Sequence, residues 1–208
     1  MKRKLVLGLV VTGLILSIQL DKAYATLLDI TGVETTVSLT SFDDLIGLGL
    51  TPAPLGSATV ETSVTPPDII FPITGGTFDD VTSIALIEHD GSGFSLTSSD
   101  ARSSASLNLE NFLIDTEALL LSGDASFGDR SVSGLPIFNI TSSLELLLTS
   151  QAAGAIDAIF GVGDLTGIEI GVASLNVETG APVPEPTTML LLGTGLAGLV
   201  GLRRKVKK

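Results

Sequence analysis

The chain has 208 residues, no cysteine and a formal charge of −12, so a disulfide framework and thiolate metal sites are both excluded. Four of its 11 lysines and arginines fall in the first 22 residues and five in the last six. Residues 26–182 keep only Arg102 and Arg130 against 21 acids, a formal −19, which argues against nucleic acid or an anionic membrane surface as a partner of that stretch.

At the amino end, Lys2, Arg3 and Lys4 precede an uncharged apolar run over residues 5–20, and Ala23-Tyr24-Ala25 follows. Basic start, apolar run and small-x-small site are the three parts of a secretory signal peptide, predicted over 1–25 with Ala23 and Ala25 forming the signal peptidase site. The 16-residue run is shorter than a membrane-spanning helix requires. Export follows.

Residues 26–182 read as one acidic, β-rich extracytoplasmic domain, long enough for a single buried core. Short alternating runs at 36–40, 57–63, 69–73, 82–88, 94–98, 104–114, 118–127, 135–140, 143–150 and 168–178 predict strands. Asp90-Gly91-Ser92-Gly93 reads as a hairpin, Thr74-Gly75-Gly76-Thr77 and Gly128-Asp129 as turns, and TPAPLG at 51–56 as a loop. One short helix is predicted from Gln151, because Ile156, Ile159 and Phe160 share a face with Ala152 and Ala153 a turn earlier. A further helical turn over 41–46 would have Ser41 as N-cap and Asp43 and Asp44 in its first turn. The fold class expected is mainly β, an antiparallel β-sandwich or barrel with one short helix.

This body offers little catalytic chemistry, and the protein is expected not to be an enzyme. His89, the single histidine, lies between Glu88 and Asp90 and reads as a surface turn residue, since one imidazole makes a poor metal site. DASFG at 124–128 has Asp124 where a nucleophile elbow needs glycine. Without tryptophan, a sugar-stacking cleft is hard to build. Asp124 and Asp129 are candidates for loop-bound Ca²⁺, weighed against a plain solvated acidic surface. No resident cofactor is expected.

The carboxyl end returns to export chemistry. Residues 187–202 form a second uncharged apolar run, predicted as a transmembrane helix of about 24 Å. Arg203, Arg204, Lys205, Lys207 and Lys208 hold its far end in the cytoplasm. Pro184 and Pro186 keep the preceding PVPEP segment extended and accessible.

Val183-Pro184-Glu185-Pro186, the glycine-rich apolar run and the terminal basic cluster, in that order, closely resemble the PEP-CTERM sorting signal of Gram-negative bacteria. The resemblance covers residues 183–208. It implies recognition by an exosortase, a membrane-embedded cysteine transpeptidase, and cleavage near the Pro-Glu-Pro triplet. A transient inner-membrane anchor would then give way to a cell-surface or extracellular form associated with exopolysaccharide and biofilm. LIGLGLTPAPLGSA, FPITGG and IEHDGSGFSL are similar to bodies of other PEP-CTERM proteins and to the β-rich HtaA haem-binding domain. Haem capture in that domain rests on Tyr and His, whereas this body has His89 alone and no Tyr. The function expected is an exported, non-enzymatic surface or matrix protein. The alternative is a secreted module binding a small ligand, haem or calcium.

Overall fold

The structure, a computed structural model, describes residues 27–98 and 105–180. The expected signal peptide with Ala23 and Ala25, the motif at 183–186, the apolar run 187–202 and the basic tail lie outside these residues. Among the described residues no helix is long and apolar enough to cross a membrane.

Among the described residues there are eleven strands and two helices: β1 Leu27–Ser38, α1 Phe42–Gly47, β2 Leu50–Gly56, β3 Thr59–Glu61, β4 Asp68–Pro72, β5 Gly75–Asp79, β6 Ala85–Ser98, β7 Ser106–Asp115, β8 Leu120–Phe127, β9 Arg130–Ile140, β10 Glu145–Leu148, α2 Ser150–Phe160 and β11 Glu169–Thr179. Every strand pairing is antiparallel, and from β5 to β11 each strand pairs with its neighbour in sequence. β1 then closes the ring, pairing β11 on one side and β5 on the other. Of the two expected architectures, the closed barrel is the one formed. Its wall is eight strands, with β4 and β3 branching from β1 and β2 from β6. Closure leaves the eight wall strands without a free edge along the ring, while the branch strands β2 and β3 each pair on one side only.

Alternation fills the interior. β7 buries Leu107, Leu109, Phe112 and Ile114, and Ile87, Ile137, Leu50 and Leu148 are almost fully enclosed. Phe71 meets Phe112 edge to face, with ring centroids 5.4 Å apart. Little space remains between these side chains: the interior voids are about 30 and 20 Å³.

The two ends of the barrel differ. At the first, β1 begins, β11 finishes, and the turns β5–β6, β7–β8 and β9–β10 cross over. At the second sit α1 and α2, whose Leu45 and Ile156 cap the core against Leu50, Leu96 and Leu109. These are called below the tail end and the helical end. α2 starts where the Thr149 side chain accepts a hydrogen bond from the Ala152 N–H, and stops at Gly161 in the left-handed region (φ 70°). Its buried face is Ala152, Ala153 and Ile156, in line with the predicted amphipathic face. α1 adds a second short helix where the sequence suggested a helical turn. Ser41 stands at its N-cap position but donates its hydroxyl to the Glu169 carbonyl instead of capping.

Three local expectations are corrected. TPAPLG is not a loop: Pro52 and Pro54 lie in β2, opposite Leu96 and Phe94 of β6, on an edge strand where a missing N–H costs no ladder bond. Gly75 and Gly76 are strand, not turn. Gly76 has φ 135° and lies so close to β6 that a Cβ would sit 2.1 Å from the Leu86 carbonyl oxygen. Asp90-Gly91-Ser92-Gly93 is a bulge inside one continuous β6, because pairing with β7 stops at His89 and resumes at Gly93.

Candidate functional site

The carboxyl tail leaves the barrel at a fixed point. Thr179 pairs with Ile30, and the Gly180 N–H donates to the Asp29 carbonyl at 2.8 Å. Ala181 follows, and Pro184 is four residues beyond Gly180. The amino side starts at the same end, with Leu27 of β1 paired to Asp79 of β5. Both segments read from sequence as processing signals therefore join the body at the tail end.

His89 is placed against expectation. It is 1% exposed, inside the barrel rather than on a surface turn, because it shares the inward parity of Ala85 and Ile87 along β6. One ring nitrogen, Nε2, lies 2.8 Å from Thr35 Oγ1, and Nδ1 lies 3.3 Å from the Phe112 carbonyl oxygen. The carbonyl can only accept, so Nδ1 carries the proton and Nε2 accepts from the Thr35 hydroxyl. Burial lowers the His89 pKa below its ordinary value; the Phe112 carbonyl and the nearby Asp90 charge act in the opposite direction. Both nitrogens are committed inside the core, which leaves neither to ligate a metal or a haem iron.

Asp124 is likewise engaged. Its Oδ2 accepts from Asn111 Nδ2 at 2.9 Å and its Oδ1 from the Gly134 N–H at 3.2 Å, while Asn111 Oδ1 accepts from the Gly91 N–H. These groups tie together bulges on β6, β7, β8 and β9. The Asn111 amide, chiefly, holds the Asp124 carboxyl below its usual range. Asp129 lies in the β8–β9 turn, and Asp43 and Asp44 lie on α1. Among the described residues no group of three or more His, Asp or Glu is arranged to hold a metal ion.

At the helical end, a surface cleft of about 400 Å³ lies between β2 and the β3–β4 pair. Phe42, Pro52, Pro54, Val60, Val64 and Ile69 line it, with Asp43 and Thr62 among its few polar groups.

The family model of the PEP-CTERM protein-sorting motif matches residues 182–205. The chain carries a PEP-CTERM sorting signal. The match takes in Val183, Pro184, Glu185 and Pro186, the apolar run and Arg203, Arg204 and Lys205; Lys207 and Lys208 lie just beyond it. The PEP-CTERM signal implies export, sorting to the cell surface and processing by an exosortase. No curated protein matches the chain. Among solved structures it is similar to the haem-binding protein HtaB from Corynebacterium glutamicum, with 10% identity over 76% of this chain and 96% of that one and a TM-score of 0.49. The PEP-CTERM match begins two residues after Gly180, the last described residue.

Proposed function

We propose that this is an exported, non-catalytic surface or matrix protein, anchored briefly by residues 187–202 and then released or re-attached by an exosortase, in an exopolysaccharide or biofilm setting. The sorting signal at 182–205 carries the reading. The body agrees with it: its one imidazole is locked in the core, Asp124 is committed to the bulge network, and side chains fill the barrel interior. Replacing Pro184, Glu185 and Pro186 together by alanine is expected to leave an uncut, membrane-bound precursor, read as a larger band confined to the membrane fraction. Normal processing of that variant would defeat the reading. The apolar cleft at the helical end favours a second reading, a secreted module for a small apolar ligand, since such sites are concave and mostly apolar with a few polar groups.

A further inference from the structure

We infer that, while it awaits processing, the barrel is held with its tail end toward the lipid and its helical end, with the proline-lined cleft, turned away from the membrane. This rests on the reading of 187–202 as the anchor and adds an orientation to it. The root of the tether is fixed, because the Gly180 N–H is bonded to the Asp29 carbonyl at the tail end. Only residues 181–186 separate that root from Thr187, the first residue of the apolar run. At ~3.3–3.6 Å per residue, the seven steps from Gly180 to Thr187 reach at most about 25 Å even fully extended. Some 5–7 Å of that is needed to cross the headgroup layer.

The barrel is taller than this reach. β1 runs 12 residues from the tail end to the helical end. At ~3.3 Å rise and a tilt of roughly 40° that is about 30 Å along the axis. α1 and α2 add their thickness at the far end, about 10 Å for a helix with its side chains. An inverted barrel would lift Gly180 beyond what the tether spans. Geometry excludes that arrangement, so the helical end cannot be the near face.

The same face presents Leu27, Val81 and Leu119, which are 66%, 61% and 47% exposed. Asp29 and Glu117 are exposed beside them, and carboxylates are repelled by anionic lipid. Proximity is thus imposed by the short tether rather than by adhesion. The cleft between β2 and β3–β4 is left open to whatever lies beyond the membrane.

The absence of cysteine makes the test direct. The chain from Thr26 to Lys208, without the signal peptide and with Pro184, Glu185 and Pro186 replaced by alanine, is reconstituted into phospholipid vesicles with a nitroxide on the headgroup. One fluorophore is attached through V81C or E117C at the tail end, or through T62C or Q151C at the helical end; all four positions are exposed, so the fold is retained. Quenching is expected to be several times stronger for V81C and E117C than for T62C and Q151C. A flexible 20-residue Gly-Ser insert after Gly180 should erase the difference, because such a linker no longer dictates which end lies near. Equal quenching at both ends, stronger quenching at T62C, or a contrast that survives the insert would overturn the orientation while leaving the anchor intact. A chain that fails to co-sediment with the vesicles would overturn the anchor reading and the orientation with it.

Discussion

Gly93→Ala is expected to cost about 3 kcal/mol or more, a large share of the roughly 5–15 kcal/mol that stabilises a domain. Gly93 is the residue at which β6 resumes pairing with β7 after the bulge. A Cβ there would lie 2.0 Å from the Leu109 carbonyl oxygen and 2.8 Å from the Glu110 Cα. Both are backbone atoms of a strand held on its other side by β8, so neither can move aside as a side chain tip could. Gly91→Ala, two residues earlier, is the comparison. It has φ 70° but nothing within 4 Å of the added carbon, so it meets only the left-handed backbone penalty, about 1–2 kcal/mol. Urea unfolding midpoints of the two variants check the order. A smaller loss for Gly93→Ala than for Gly91→Ala would show that β6 and β7 do not approach this closely.

Acidification should destabilise the protein in a window set by His89. The native pKa lies below the unfolded value near 6.5, so below about pH 6.5 the unfolded chain takes up a proton that the native state refuses. Stability from this group is full above pH 6.5 and falls as pH drops, by about 1.4 kcal/mol per unit, until the lowered native pKa is reached. His89 is the only histidine of the chain, so no other imidazole shares the window. Asp124 acts later and in the same direction: its contribution is present above the usual carboxylate range and is lost as pH falls through its lowered value. His89→Phe keeps the ring beside Phe71 and Phe112 but strands the Thr35 hydroxyl and the Phe112 carbonyl. It is expected to be less stable at pH 7 by about 2–4 kcal/mol and to lose the slope that sets in below about pH 6.5. Unfolding midpoints at pH 7, 6 and 5 distinguish the two chains; parallel curves would mean that His89 is not the titrating group.

Much of the barrel was legible because one face of each strand is buried and alternation records it. The run at 104–114 anticipates β7, and that at 168–178 anticipates β11. The misses share a cause, which is that tertiary pairing overrode local turn chemistry. Pro52 and Pro54 signal a loop, yet an edge strand tolerates them. β1 reaches back to Leu27 through a bulge between Ile30 and Gly32 that interrupts the alternation. His89 was read from its neighbours Glu88 and Asp90, which point outward, whereas its parity with Ala85 and Ile87 was the informative signal. The link from Asn111 to Asp124 spans 13 residues and joins two bulges, and no sequence spacing announces it. The sorting motif is different in kind: proline stiffness, a greasy run and terminal cations sit in linear order, so sequence alone displays it.

Mass spectrometry of the protein collected outside the cell tests most directly whether the tail is a sorting signal removed after export. The mature chain should begin just after Ala25 and end within a few residues of Pro186, without the apolar run or the basic cluster. Recovery of the full chain through Lys208 from the soluble cytosolic fraction, with nothing cut outside, would contradict it.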